Sequence, residues 1–186
     1  MKKKSGTGVA WICCIVMVVF SVCYGAHQGW AGEYRDVTAT LNRDDGLLVM
    51  LNYRGYDGLN LYKVAQRHLP ETNENLSGLI ESARALIAKD SKMRVRYESN
   101  KKLTEFTKAL VAELVGLPSV QASVRDTGYI KSLERNMDTL DQSGADTEYN
   151  AVARDTNNRF NRSLSGRVAS LLGITPAEIY EGWWVE

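Results

Sequence analysis

Cysteine and histidine are scarce in this sequence, and their positions exclude several kinds of site. The three cysteines, Cys13, Cys14 and Cys23, all lie in one apolar N-terminal stretch. The rest of the chain therefore has neither an intramolecular disulfide nor a cysteine-based metal site. The two histidines, His27 and His68, are too few for a His-rich metal site, and a Ser-His-Asp arrangement would have to use His68. We therefore expect no metal, no cofactor and no catalytic residue.

A dominant charge of either sign is also lacking. The chain has 23 basic and 22 acidic residues. Without Lys2, Lys3 and Lys4, the basic residues no longer outnumber the acidic ones, so no long-range field attracts nucleic acid. A length of 186 residues with 44% apolar content is enough for one domain with a hydrophobic core.

One long hydrophobic run stands out, at the N-terminus. Residues 9–26 contain no charge and follow the lysine triplet. As a helix this run is about 27 Å long at about 1.5 Å per residue, just long enough to cross a hydrocarbon core of about 30 Å. We predict a basic tail over residues 1–8 and a retained transmembrane anchor over residues 9–26. A signal peptide cleaved near Ala26 or Ala31 is the alternative, although Tyr24 and Trp30 fit such cleavage sites poorly.

The charges that flank this run predict its orientation. Lys2, Lys3 and Lys4 lie before it, against Arg35 and Arg43 in the near flank after it. The positive-inside rule then places the N-terminus in the cytoplasm and the domain on the outer, periplasmic or extracellular side of the cell's inner membrane, as a single-pass protein. The opposite topology and secretion after cleavage are the alternatives.

Proline is rare beyond residue 35, and helical periodicity fills the space between the three prolines. One apolar stripe runs from Leu76 to Ile87, with Thr72 or Asn73 as its N-cap, and a second ends before Pro118. The segment at residues 47–53 is either a buried strand or a helix. We favour the helix, because no second strand-like segment is available to pair with it. The last long stripe runs through Ile130, Leu133, Met137 and Leu140 and resumes after Gly144. Whether Gly144 breaks this helix is open.

These patterns predict an all-α fold. Several amphipathic helices joined by short connections favour an antiparallel, four-helix-type bundle of long helices behind the transmembrane helix. Thr175, Pro176 and Glu178 match the N-cap, first and third positions of a helix, so we also predict a short C-terminal helix. The predicted boundaries are a juxtamembrane linker at 27–44, the bundle domain at 45–182 and a C-terminal tail at 183–186.

An unusual polar stripe lies in the segment YNAVARDTNN, residues 149–158. Asparagine is a mediocre helix former, because its short amide competes for backbone hydrogen bonds. The stripe is either a docking surface or a buried hydrogen-bond network that sets helix register. Catalysis is the weakest interpretation, because no triad or paired-carboxylate spacing accompanies it. The candidate interaction or structural residues are Tyr149, Asn150, Arg154, Asp155 and Asn157.

The same stripe resembles a segment of the LemA family, in which Tyr-Asn is followed by Arg-Asp and a further Asn. Upstream, YDGLNLYKVAQRHL, LSGLIESARALI and LPSVQA are similar to other LemA segments in matching order over residues 45–182. Thr156 and Leu117 stand where the family commonly has aromatic residues, and the proline expected near Leu59 and Asn60 is missing. The family's closing pattern is matched by Gly173, Pro176, Ala177, Glu178, Tyr180 and Glu181.

This resemblance implies a membrane-anchored helical bundle with no established enzyme activity. We expect a non-catalytic scaffold or protein-interaction module at the cell envelope, with a membrane or envelope protein as its partner and no nucleic acid. A ligand-sensing bundle coupled to a membrane signalling partner is the alternative. We expect Trp183 and Trp184 to pack back onto the bundle; anchoring at the membrane interface or at a partner is the alternative for them.

Overall fold

The structure is a computed structural model that describes residues 5–181, with side chains for all of these except residues 5–7 and 141. The basic residues Lys2, Lys3 and Lys4 and the predicted tail at 183–186, with its two tryptophans, lie outside the described residues. Within residues 5–181 the fold is all-helical and contains no strand, as predicted. The helices are α1 (Ser5–Asn42), α2 (Leu47–Ala65), α3 (Glu74–Ile87), α4 (Met93–Val115), α5 (Pro118–Gln121), α6 (Val124–Asp141), α7 (Ala145–Arg162) and α8 (Leu164–Leu171).

Several local signals operate as the sequence indicates. The Oδ1 atom of Asn73 accepts a hydrogen bond from the backbone N–H of Leu76 and caps α3. Helix α4 ends at Val115, and Pro118 occupies the first position of α5, where its missing N–H costs nothing. Gly144 breaks the last long stripe: its φ of 74° is a left-handed conformation that favours glycine, and it separates α6 from α7.

The described chain divides into two compact units. The first unit combines residues 5–39 with Val152–Ala177, and the second unit combines Thr40–Ala151 with residues 178–181. Helices α1 and α7 therefore contribute residues to both units. The predicted linker at 27–44 is helical through Asn42.

The second unit is built from α2 to α6 around aliphatic side chains. Helix α3 packs against α2 and α4, and α6 packs against α2, α4 and α5. A Cβ atom at Gly58 would lie 2.8 Å from Leu103 Cδ1, so glycine allows α2 to approach its neighbours closely. Burial of this apolar surface is the main stabilising term of the unit. The largest fully buried side chains are Leu61, Leu76, Leu79, Leu86, Leu103, Leu110, Leu114, Val120 and Ile130.

Two buried arginines tie the helices of the second unit together. Arg54 on α2 donates to the carbonyl of Met137 and to Oγ1 of Thr104, at 2.6 Å each. Arg96 on α4 donates to carbonyls at the end of α3, among them those of Leu86 and Ala88. The last carbonyls of a helix have no partner within it, so this guanidinium supplies donors that α3 lacks. Burial lowers the pKa of Arg96, yet the group stays charged.

The first unit is held by a small aromatic cluster. The Trp30 ring meets the Phe160 ring edge to face, with centroids 5.1 Å apart, and Tyr34 meets Phe160 at 5.6 Å. Ala169 on α8 is fully buried beside them, and Ile174 packs against the cluster. Such ring pairs contribute about 0.5–1.5 kcal/mol beyond their area of burial. The cluster fixes one side of α1 to α7 and α8.

The N-terminal half of α1 has a different environment. Its apolar side chains are exposed around the helix; Trp11 is 68% exposed and Phe20 is 69% exposed. This helical stretch near the N-terminus is long and apolar enough to cross a membrane by length and composition. Cys13, Cys14 and Cys23 are free thiols within it.

The prediction of a short C-terminal helix after Thr175 is wrong. Residues 174–179 have no helical structure, and the short helix near the end of the chain is α8, before Gly173. The backbone groups of Ala177 and Tyr180 bond to side chains instead of to a helical turn. Tertiary partners therefore override the capping signals of Thr175 and Pro176.

Candidate functional site

Helix α7 carries the polar stripe that the sequence singles out. Asp146 and Glu148 lie in its first turn, and Arg159 and Arg162 lie in its last turn. Acidic residues at the N-terminal end and basic residues at the C-terminal end interact favourably with the helix dipole. They therefore stabilise α7 despite its asparagines. The stripe can therefore use asparagine for contacts with other segments.

Asn150 forms a two-point clamp on the C-terminal segment of the second unit. Its Nδ2 donates to the Tyr180 carbonyl at 2.8 Å, and its Oδ1 accepts from the Tyr180 backbone N–H at 2.9 Å. The side-chain amide thus pairs with both backbone groups of one residue, as a neighbouring strand would. Both hydrogen bonds go to backbone atoms. The clamp therefore fixes the path of the segment without requiring a particular side chain at position 180.

Tyr149 supports the same segment. Its hydroxyl donates to the Glu178 carbonyl at 2.6 Å, and the Glu178 carboxylate accepts from the backbone N–H of Met93 at the start of α4. The ring is buried, and burial, with the nearby charge of Glu178, raises the pKa of Tyr149 to about 12. The phenol therefore stays protonated and acts as a donor.

Asn157 repeats the clamp inside the first unit. Its Nδ2 donates to the Ala177 carbonyl and its Oδ1 accepts from the Ala177 backbone N–H, both at 2.9 Å. The same Oδ1 accepts from the hydroxyl of Tyr34 on α1 at 3.2 Å. Burial raises the pKa of Tyr34. Three predicted residues, Tyr149, Asn150 and Asn157, thus make intramolecular hydrogen bonds.

Arg154 and Asp155, the other two predicted residues, are exposed on α7. The Asp155 carboxylate accepts from Nε of Arg159 at 3.0 Å, and the second arm of Arg159 donates to Glu33 on α1 at 2.9 Å. Both acidic neighbours raise the pKa of Arg159, with Glu33 the larger cause. This ion network is solvated, so it orients side chains more than it stabilises the fold.

A groove of about 730 Å³ lies in the first unit, beside this network. One wall comes from α1, where Gly25, Ala26 and Gly29 carry little or no side chain. The other wall comes from α7 and the start of α8, and it contains Arg162. The remaining lining residues are Trp30, Glu33, Asp155, Asn158, Arg159, Ser163 and Ser165.

The second unit brings together a serine, a histidine and an aspartate that the sequence could not place. The Nδ1 atom of His68 lies 3.1 Å from Ser119 Oγ, and its Nε2 lies 2.9 Å from Asp126 Oδ2. Arg67 binds the other oxygen of Asp126 at 3.0 Å. The hydrogen bond from His68 and the charge of Arg67 lower the pKa of Asp126.

Two roles are open to this arrangement. With its proton on Nε2, His68 would accept the Ser119 proton at Nδ1, the geometry of an activated nucleophile. As a structural latch, the same bonds hold residues 67–68, just after α2, to the first turn of α6, where Asp126 lies. The latch accounts for Arg67, which a catalytic relay does not need, and for the burial of both His68 and Asp126 side chains.

Among the residues whose side chains are described, no group of three or more His, Cys, Asp or Glu side chains could hold a metal ion. No family model, no curated protein and no solved structure matches the chain. The similarity to the LemA family accordingly stands on the sequence motifs alone.

Proposed function

We propose that this chain is a LemA-like, membrane-anchored helical bundle that acts as a non-catalytic scaffold or protein-interaction module at the cell envelope. The observation that carries the proposal is the two-part character of α1. Its N-terminal half exposes apolar side chains on all sides, while Trp30 and Val37 in its C-terminal half are buried. Exposed apolar surface of this extent calls for a lipid or protein environment. Because α1 is uninterrupted from Ser5 to Asn42, the proposed anchor and the buried residues of the first unit lie on one continuous helix.

The contacts of the second unit support a bundle of four long helices. Helices α2, α3, α4 and α6 are 19, 14, 23 and 18 residues long. Helix α2 packs against the other three, and α4 packs against α3 and α6. Short connections between packed neighbours favour an antiparallel arrangement. The proposed orientation, with the N-terminus in the cytoplasm and the domain outside, follows from the lysine triplet before α1.

Arg154 and Asp155 are the residues of the predicted stripe that we propose for docking. Both side chains are exposed to solvent, and Asp155 also pairs with Arg159. Tyr149, Asn150 and Asn157 hold the C-terminal segment through hydrogen bonds. A charged pair on a rigid helix suits recognition of a polar protein surface, where such charges control specificity and association rate more than affinity.

Membrane anchoring is tested first, by alkaline carbonate extraction of cell membranes and by reporter fusions at both ends of the chain. We expect the full chain to stay in the membrane pellet, with the C-terminal reporter active outside and the N-terminal reporter active in the cytoplasm. Release of the full chain by carbonate would end the proposal. Reversed reporter activities would keep the anchor but reverse the topology.

Docking is tested by crosslinking in cells that express the full chain, followed by identification of the neighbours. The double variant Arg154→Ala/Asp155→Ala should lose a membrane-protein neighbour while its thermal unfolding is unchanged. The matched control is Arg125→Ala/Asp138→Ala on α6, another pair of charged residues on a helix. Equal crosslinking of both double variants and the parent would refute this docking surface.

The non-catalytic part has its own test at Ser119. A fluorophosphonate probe labels serines that a neighbouring base activates. We expect no difference in labelling between the full chain and Ser119→Ala. Labelling that requires both Ser119 and His68 would establish an acyl-transfer site and overturn this part of the proposal.

A further inference from the structure

The groove in the first unit begins where the exposed apolar part of α1 ends. The exposed apolar side chains run from Val9 to Tyr24, and Gly25 is the first groove residue. Sixteen helical residues span about 24 Å at about 1.5 Å each, and Gly25 and Ala26 bring the length to about 27 Å, just long enough to cross a hydrocarbon core of about 30 Å. If this part of α1 crosses the membrane, the next few residues of α1 lie at the depth of the lipid headgroups.

The α1 wall of the groove is open because its residues are small. A Cβ atom built at Gly25 or at Gly29 would meet no other atom within 4 Å. Nothing in the described protein fills this side of the groove. Glycine lowers the stability of a helix. Two glycines in one wall of the groove therefore weaken α1 unless a bound molecule occupies the space beside them.

The opposite wall presents separated charges of both signs. Arg159 is occupied by Glu33 and Asp155, each of which uses one carboxylate oxygen. Arg162 is exposed and makes no ion pair or hydrogen bond within residues 5–181. The groove therefore offers the guanidinium of Arg162 for a phosphate and the remaining carboxylate oxygens of Glu33 and Asp155 for a cation.

We propose that this groove binds the headgroup of a zwitterionic phospholipid that carries a primary ammonium, phosphatidylethanolamine. Arg162 binds the phosphate, and the outer carboxylate oxygens of Glu33 and Asp155 accept hydrogen bonds from the ammonium. The lipid backbone lies against Gly25 and Gly29, and its acyl chains follow the apolar face of α1 into the bilayer. This inference rests on the membrane anchor proposed above.

Charge balance selects this headgroup. Two carboxylates and two guanidiniums leave the groove neutral, which matches a headgroup with one phosphate and one ammonium. A phosphatidylglycerol headgroup has a neutral glycerol in place of the ammonium, so the two carboxylates would lose their cationic partner and gain only weaker, neutral hydroxyl donors. A phosphatidylcholine headgroup has no N–H to donate, so it loses the hydrogen bonds to the carboxylates.

The test uses the full chain in nanodiscs that contain equal amounts of phosphatidylethanolamine, phosphatidylcholine and phosphatidylglycerol. The protein is released into mild detergent, and the lipids it retains are counted by native mass spectrometry. We expect one phosphatidylethanolamine retained in about tenfold preference, equivalent to about 1.4 kcal/mol, because only its ammonium donates charge-assisted hydrogen bonds to the carboxylates. Equal retention of the three lipids would overturn the proposal, as would displacement of the lipid by millimolar inorganic phosphate.

Two variants with matched controls locate the site. Arg162→Gln should lose the retained lipid, and Arg35→Gln, which removes an exposed arginine of α1 outside the groove, should keep it. Gly29→Leu should also lose the lipid while helix stability is kept or raised, because it fills the groove with a better helix former. Gly32→Leu makes the same change outside the groove lining and should retain the lipid. Retention by Gly29→Leu would overturn the proposed location.

Failure of the anchor and failure of the lipid site give different results. Flotation of the same nanodisc sample reports insertion independently of which lipid is retained. A chain that floats with the nanodiscs but retains no preferred lipid would refute the headgroup site alone. A chain that does not float would refute the anchor and, with it, the lipid site.

Discussion

The two units of this protein bury different kinds of surface. The second unit packs leucines from consecutive helices, and nine of its large aliphatic side chains are fully buried. The first unit relies on the cluster of Trp30, Phe160 and Ala169, which come from distant parts of the chain. An aliphatic core of consecutive helices follows from local periodicity, whereas an aromatic cluster depends on long-range pairing. Local periodicity therefore predicts the helices of both units, but it does not predict the pairing of Trp30 with Phe160.

The largest effect is expected in the first unit, from Trp30→Ala. Loss of a buried indole costs about 3–5 kcal/mol, because it leaves a cavity beside Phe160 and removes the bond to Ser165. Chemical denaturation in detergent, followed by circular dichroism, measures it. Trp11→Ala on the same helix is the control, since Trp11 is exposed and should change little. Equal effects of the two substitutions would show that the cluster does not stabilise the unit.

In the second unit, Leu103→Ala should cost about 2–5 kcal/mol in free energy of unfolding, because Leu103 is fully buried between α2 and its neighbours. The same denaturation experiment measures it. Leu171→Ala is the matched control at a position that is 88% exposed, where we expect less than about 0.5 kcal/mol. A small effect at Leu103 would mean that the core readily collapses around the substitution.

The asparagine clamps allow the same substitution in each unit. Asn150→Ala and Asn157→Ala should each cost about 1–3 kcal/mol, because each leaves a backbone N–H and a carbonyl without their partner. Limited proteolysis should also cut the segment after Gly173 sooner in both variants. Asn161→Ala, at an exposed position of α7, is the control. If only one clamp matters, the units differ in how they hold this segment.

Alkaline pH should weaken the second unit through Tyr149. The folded pKa of about 12 lies above the value of 10 for an unfolded tyrosine, so the contribution is complete below pH 10 and is lost as pH rises toward 12. We expect a loss of roughly 2 kcal/mol over that window. Tyr149→Phe should flatten this part of the pH profile. An unchanged profile would place the titration at another group, and Tyr34, whose pKa is raised in the first unit, is the next to test.

The smallest effect is expected from Arg154→Ala. Its side chain is exposed, so the free energy of unfolding should change by less than about 0.5 kcal/mol. Thermal unfolding of the variant beside Asn157→Ala, three residues away, separates an exposed position of the stripe from a clamp. A large loss at Arg154 would make the whole stripe structural and would contradict the docking surface.

Much of the second unit follows from local signals. The spacing of Leu76, Leu79 and Leu86 predicts α3, and the Asn73 cap lies where the sequence puts it. The segment at residues 47–53 is helical, as expected from the lack of a partner strand. These features are local, because they involve residues within one or two turns of each other.

The predicted site was only partly accessible to sequence reasoning. The unusual residue types of the polar stripe predict five site residues. Two of them, Asn150 and Asn157, form hydrogen bonds with the backbone of Tyr180 and Ala177. Nothing local distinguishes a clamp from an exposed amide such as Asn161, because the partner is 20 to 30 residues away. The arrangement of Ser119, His68 and Asp126 is not visible in the sequence for the same reason, because Ser119 and Asp126 lie more than 50 residues from His68.

By itself the sequence determined that this protein is helical and that one apolar stretch long enough for a membrane lies near its N-terminus, because periodicity and hydrophobic length are local properties. The tertiary structure alone decided the form of residues 174–181. Their capping signals favour a helix, but two side-chain amides of α7 bond to the backbone of Ala177 and Tyr180 in a non-helical form. The local preference for a helix that a cap provides is about 1 kcal/mol. Tertiary hydrogen bonds to both backbone groups of a residue are enough to outweigh it.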